Sequence, residues 1–399
     1  MKSPYVFALI ACLSGPSLAD SLSEIEQIGA QHTAEVQQTS DIGTSNSSKI
    51  QQDGTDHHAT VGQQGFAAQN SSDILQHGSG NNAQVTQNAE ITTGTTSLIE
   101  QIGSDNTAEV FQGLSSDVIL DAKIRQEGDG NHASVEQSGI FAGNYAATID
   151  QTGEGNDATV FQGNGLFSGV QAIIHQTGSA NTANASQIGS DVSGNIEIRQ
   201  NGAGNNADIQ QDSGNLMSAL VVQVGQANEA SIEQSAFLGT SLIASIDQDG
   251  IGNEATTIQF SPGQTVALGA EARSSVTQVG SDNTALVEQF VAAEFVVDIS
   301  EILMDGDSNS VAVRQGEGAG TSNTNSSTVN MAGTGNSAVV VQSGSWGNNV
   351  SSLIETGTDN VVSVAQSAIG SSGNPGANTS IINVAGSNHV VNVVQATGP

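Results

Sequence analysis

The chain has 399 residues, with seven Lys and Arg against forty Asp and Glu, a net charge of −33. So acidic a surface repels nucleic acid and anionic membrane and excludes both as expected partners. Aromatic residues at 3% and hydrophobic residues at 36% exclude a thick core of large side chains, and 5 Pro beside 47 Gly excludes a proline-rich disordered chain.

Residues 1–19 read as a secretory leader. Lys2 supplies the positive end, Val6 to Leu13 the apolar run, and Ser17-Leu18-Ala19 a small-residue cleavage site, so the expected mature start is Asp20. Leu9-Ile10-Ala11-Cys12 offers a second reading as a lipoprotein box, although the apolar run before Cys12 is short for one. Cys12 is the only cysteine, and cleavage after Ala19 would leave no thiol, disulfide or Cys-based metal site. No later stretch is long and apolar enough to span a membrane as a helix, so no membrane insertion is expected.

From the leader onward one stretch recurs, seen most cleanly from Ile124 to Gln137. Its turn glycine has counterparts at Gly29, Gly54, Gly78, Gly103, Gly128, Gly153, Gly178, Gly202, Gly225, Gly250, Gly280, Gly306, Gly333, Gly357 and Gly386, spaced by 23 to 30 residues. Ile, Val or Leu stands four residues before every one of them, and Gln nine residues after, from Gln38 to Gln395. Three residues after stands Asn, replaced by His only at His32, His57 and His389, and five after stands Ala or Val. Period-two alternation on both sides of the glycine predicts two short strands per repeat, not helices. Such a unit cannot bury its apolar side alone. Stacking the repeats in register solves this, so the expected fold is all-β, a β-solenoid of about fifteen parallel strand-turn-strand coils.

In that stack the inward columns would be aliphatic, Gln, Gly, Asn, Ala, Val and Gln. Stacked amides can donate and accept along the axis, each bond contributing about 0.5–1.5 kcal/mol net, while an orphaned buried amide costs about 1–3 kcal/mol. The ladder residues expected to carry the structure are Gln76, Asn81 and Gln87; Gln101, Asn106 and Gln112; Gln126, Asn131 and Gln137; and Gln151, Asn156 and Gln162, with turns at Gly78, Gly103, Gly128 and Gly153. One outward column mixes Glu26, Gln51, Leu75, Glu100, Arg125, Asp150, His175 and Arg199, which avoids a continuous line of like charge.

The segments before the first strand carry Asn and hydroxyls early and late in the chain, as at Asn46-Ser47-Ser48, Asn70-Ser71-Ser72 and Asn325-Ser326-Ser327. In the middle they turn apolar, as at Val118-Ile119-Leu120, Leu166-Phe167 and Phe237-Leu238, which predicts an extra apolar edge there. Organisation is read as leader 1–19, regular repeats 1–12 over 20–316, and divergent, low-charge repeats 13–15 over 317–399. The first Gln is lost in the last four copies, where Met304, Met331, Glu355 and Val384 replace it.

Catalytic signals are weak. Of the seven histidines, six sit in the repeats at or beside the turn or Gln positions and read as turn or ladder substitutes before metal ligands. Ser104-Asp105-Asn106 and Ser281-Asp282-Asn283 read as turns before calcium sites, and Gly128-Asp129-Gly130 lacks the helix and Lys of a phosphate loop. Phe111, Phe161 and Trp346 are read as lateral packing residues before sugar platforms. No enzyme activity, cofactor or metal is expected.

The motif Gln-x-Gly-x-x-Asn-x-Ala-x-x-x-Gln at Gln76 to Gln87, Gln126 to Gln137 and Gln151 to Gln162, extended by a small polar residue such as Ser21 six before the first Gln, resembles the curlin repeat of curli-type functional amyloid. The resemblance covers about residues 21 to 395. It implies a secreted pilus-like or fimbrial subunit that self-assembles into extracellular cross-β fibres for biofilm matrix and cell adhesion. It also implies export through the periplasm and an outer-membrane pore, and help from a nucleating subunit. The rival expectation is a monomeric surface solenoid that acts as an adhesin or binding module.

Overall fold

A computed structural model describes residues 9–12, 21–40, 45–65, 69–89, 94–113, 118–139, 143–163, 168–189, 193–213, 215–236, 240–261, 270–290, 297–317, 324–345, 347–370 and 376–398. The leader apart from Leu9–Cys12, its cleavage site, Leu166-Phe167, Phe237-Leu238 and Trp346 lie outside the described residues. Among the described residues all regular structure is β-strand.

Each repeat contributes a first arm before the turn glycine and a second arm after it, as in Val118–Asp129 and His132–Ser138 around Gly128. Alternation of Ile, Gln and Gly with polar residues puts one side of the first arm inward, and Asn, Ala, Val and Gln do the same for the second. The chain divides into two compact units, Met1–Gln200 and Asn201–Pro399. Within each unit first arms pair in parallel only with first arms, and second arms only with second arms. Each unit is therefore a β-solenoid of two parallel sheets, as the repeat predicts.

Register is set by the turn, not by repeat length. Ile124, Gln126 and Gly128 align with Ile99, Gln101 and Gly103 on one side, and with Ile149, Gln151 and Gly153 on the other. Gln248 and Gln278 align equally well although 30 residues separate them, because the connector absorbs the surplus. A slip of one residue would turn every aliphatic side chain outward, which the core forbids.

The core is narrow. Ile50, Ile99, Ile124, Ile149 and Ile174 are fully buried against Ala and Val columns such as Ala133, Val135, Ala158 and Val160. Burying each Ile contributes about 1.5–3 kcal/mol. The apolar edge expected in the middle coils is present: Leu120, Tyr145 and Val170 are buried eight residues before their glycines, where early and late coils bury Asn46, Asn70, Asn325, Asn349 and Asn378. Phe111 and Phe161 lie over glycines of their own strands, Gly113 and Gly163, where an added Cβ would stand 2.8 and 2.9 Å from the ring.

The turn needs two left-handed residues, of which the sequence pattern marks one. Turn glycines such as Gly128 take φ near +120°, and two residues later φ is positive again, at Gly130 (65°) but also at Asp105 (56°) and Ala180 (52°). Alanine in that conformation costs about 1–2 kcal/mol, partly offset by the unfolded-state entropy that glycine would add. Ala180→Gly is therefore expected to stabilise by about 0.5–1 kcal/mol in urea unfolding; no gain, or a loss, would show that the turn is not strained at this position.

Leu9–Cys12, within the segment that reads as a leader, forms a strand on the second-arm edge of the first coil, pairing Ile10 with Val36 and Cys12 with Gln38. The first-arm edge, Leu22–Ala30, has no strand beyond it among the described residues.

Candidate functional site

The interior amides form continuous ladders. All of the expected ladder residues from Gln76 to Gln162 are fully buried. In the first Gln column of the N-terminal unit, Nε2 of each residue donates to Oε1 one coil later: Gln27 to Gln52 (2.7 Å), Gln76 to Gln101 (2.9 Å), Gln101 to Gln126 (2.9 Å), Gln126 to Gln151 (2.9 Å) and Gln151 to Gln176 (2.8 Å). The second column runs the same way, through Gln87, Gln112, Gln137 and Gln162 at 2.9 Å per step. Within the C-terminal unit a ladder of the same kind runs from Gln211 through Gln289, Gln315, Gln342 and Gln366 to Gln395.

Interior glutamines also donate across the core to the backbone of the opposite arm, Gln126 to Thr107 O (3.0 Å) and Gln137 to Asp121 O (3.0 Å). The ladders thus tie the two sheets together as well as the coils. The Asn ladder has the opposite polarity. Asn131 donates through both its backbone N–H (3.0 Å) and its Nδ2 (3.0 Å) to Asn106 Oδ1, one coil earlier, and through Nδ2 to Gly153 O (2.9 Å). The amide dipoles of the Gln and Asn columns therefore oppose one another along the axis.

Histidine substitutes for Asn by reproducing its donor and acceptor. His57 Nε2 lies 3.1 Å from Asp53 O, and the Asn81 backbone N–H donates to His57 Nδ1 at 3.3 Å. A carbonyl on one side and an N–H on the other require the neutral ring with its proton on Nε2. Burial, foremost, and the neighbouring His32 and His77 push His57 below the ordinary imidazole value, despite its hydrogen bond to the Asp53 backbone and the Asp53 charge. Its ring stacks on His32 at 5.1 Å between centroids.

The late coils break the first column. Met304, Met331 and Glu355 are fully buried there and Val384 nearly so. In register Glu355 lies between Met331 and Val384, and neither of its carboxylate oxygens has a hydrogen-bond partner. Glutamines at equivalent positions donate to backbone carbonyls, as Gln278 does to Glu254 O and Asn283 O. The pocket around Glu355 is thus built for a donor, and burial pushes its carboxyl up to about 7. A further ladder escaped the sequence reading: Asn325, Asn349 and Asn378 stack eight residues before their glycines and end on buried Asp298, to which Asn325 donates at 2.9 Å. Burial raises Asp298 to about 7 against that hydrogen bond. Its signal in the sequence is the Asn that recurs before the first strand of the late coils.

On the outside Arg125 bridges Glu100 (3.7 Å) and Asp150 (3.6 Å) and meets Glu127 at 3.0 Å, so the mixed outward column lets opposite charges meet. Exposed pairs of this kind contribute only about 0–1 kcal/mol each. Among the described residues no three His, Cys, Asp or Glu come together in a way that could hold a metal ion. The chain matches no protein-family model, and no curated protein is significantly similar to it.

Gln126→Leu tests the ladder. It would remove the donors to Gln151 Oε1 and Thr107 O inside the core, and two orphaned acceptors should cost about 2–5 kcal/mol. Gln84→Leu, on the exposed face, should change stability by no more than about 0.5 kcal/mol. Equal urea midpoints for the two variants would refute the structural role of the ladder.

Proposed function

We propose that the chain is a secreted structural subunit that assembles end to end into extracellular, curli-like fibres serving biofilm matrix and cell adhesion. The observation that carries this reading is the match between its first and last coils. Ile25 and Ile382, Gly29 and Gly386, Ala34 and Val391, Val36 and Val393, and Gln38 and Gln395 occupy the same columns. Among the described residues no strand lies beyond Gly376–Ser387 or Val390–Thr397. Open edges with unpaired backbone groups are templates for another chain.

Ladder polarity makes the joint directional. Gln395 Nε2 donates to Thr379 O and carries a second N–H that a following copy could receive, and Gln38 Oε1 lies at the other end of the same column. The leader strand Leu9–Cys12 uses the edge that a second copy would need, so removal of the leader opens the joint. The resemblance to curlin repeats supports the same reading, and with it a nucleating subunit and an outer-membrane export pore as partners. The ladder residues carry this role, and it requires no active site.

The test uses the processed protein from Asp20. Incubation should give dye-binding fibres with a meridional reflection near 4.7 Å, after a lag that preformed fibres abolish. A stable monomer with sheet structure and no such growth would refute self-assembly by the wild-type chain alone and favour a monomeric surface adhesin.

A further inference from the structure

The first Gln column is directional, and its two ends differ in what they leave unpaired. Gln278 closes it: Oε1 accepts from Gln248 (2.8 Å), while Nε2 donates to Glu254 O (2.9 Å) and Asn283 O (3.0 Å). Both N–H bonds of Gln278 are used on backbone, so Met304, its partner in the next coil, orphans nothing. A ladder of this polarity can end beneath an apolar residue without polar cost. It cannot begin above one, because along the column Oε1 takes its hydrogen from the glutamine one coil earlier.

Gln27 is such a beginning. Its Nε2 donates to Gln52 Oε1, and the half-buried side chain lies in Leu22–Ala30, the open first-arm edge, with no glutamine one coil earlier among the described residues to donate to its Oε1. In an end-to-end joint between two copies the aliphatic, turn and second Gln columns match or pair apolar with apolar and Asn378 would meet the hydroxyl of Ser21, but Gln27 would meet Val384, which has no donor. The joint would strip water from Gln27 Oε1 and return nothing.

We propose that the N-terminal face of the first coil is the docking surface for a second β-solenoid chain whose last coil carries glutamine in the first column, and that joints between identical copies are the weak joints of the fibre. This rests on the end-to-end reading. The partner's glutamine would donate to Gln27 Oε1 as Gln27 does to Gln52, while its turn residue would accept the His32 backbone N–H as Asn360 accepts that of His389.

The experiment gives the chain the missing donor. Val384→Gln, assayed at pH 5 where protonated Glu355 can donate to the new Oε1, should lower the soluble protein left at equilibrium with fibres about tenfold, the effect of one orphaned acceptor regaining its partner. Val384→Lys, which can pair with Glu355 and keep a donor to spare, is a second variant expected to act in the same direction. Val384→Leu supplies no donor and should match wild type within about twofold. If both donor variants fold, by circular dichroism, yet leave as much soluble protein as Val384→Leu, the proposal is overturned. A wild-type chain that stays monomeric while a donor variant assembles would support the proposal and restrict the end-to-end reading to partner chains. Absence of association in every form would overturn both.

Discussion

Gly128→Ala is expected to destabilise the protein by about 4 kcal/mol or more, among the largest effects a single methyl can have. Two independent costs combine. The residue sits at φ +120°, where side chains are strained, and an added Cβ would lie 2.0 Å from Gly153 O in the next coil. That oxygen is backbone, held by the Asn131 amide at 2.9 Å, so it cannot retreat without breaking the Asn ladder. Gly103→Ala meets Gly128 O at the same 2.0 Å and should behave alike, whereas Gly130→Ala has open space around its Cβ and only the left-handed φ of 65° to bear. It should cost about 0.5–1 kcal/mol, the reverse of Ala180→Gly. Urea midpoints for the three variants, with hydrogen exchange to locate the opened coils, check the ranking. Equal losses at Gly128 and Gly130 would show that close stacking of the turns is not what demands glycine.

The C-terminal unit should be less stable at pH 8 than at pH 5 through two carboxyls. Glu355 and Asp298 are both raised to about 7 in the fold, whereas unfolded carboxyls titrate near ~4. For an acid raised on folding, the favourable contribution is complete below the unfolded value. It is lost as pH rises through the folded one, at up to about 1.4 kcal/mol per pH unit for each group. Relief of self-repulsion in a chain of net charge −33 has the same sign, so wild type alone decides nothing. Glu355→Met, which extends the column of Met304 and Met331, and Asp298→Asn, which completes the Asn ladder, separate the causes. Each should raise the melting temperature by several degrees at pH 8 and little at pH 5. An identical shift at both pH values would mean that the carboxyls are not the titrating groups.

Much of this was legible in the sequence because a stacked coil writes each core column as a fixed offset from the turn glycine. Ile124, Gln126, Asn131, Ala133 and Gln137 could be assigned inward from spacing alone, and register followed. The second left-handed position was not legible. Asp105, Ala180 and Gly130 share a backbone conformation without sharing a side-chain requirement, since that side chain points away from the core. Glu355 was visible as a departure from Gln, yet its lack of any donor depends on the carbonyls that surround it, which only the three-dimensional stack assembles. The leader strand was hidden for another reason: Leu9–Cys12 reads as an export signal, and its pairing with Val36 and Gln38 needs an open edge that sequence does not display.

The constancy of the register has a kinetic consequence. Ladder bonds join residues 23 to 30 positions apart in a chain of 399 residues, as in Gln211 to Gln234 and Gln248 to Gln278. Relative contact order is therefore only about 0.06, at the lower edge of what fast-folding helical bundles show and far below that of ordinary β-sandwiches. Among the described residues no strand waits for a distant partner. Once one coil exists, the next needs only about the following twenty-five residues to find its place, so the chain can close like a zipper from a formed coil outward. A slow step, if one is observed, belongs to making the first pair of coils.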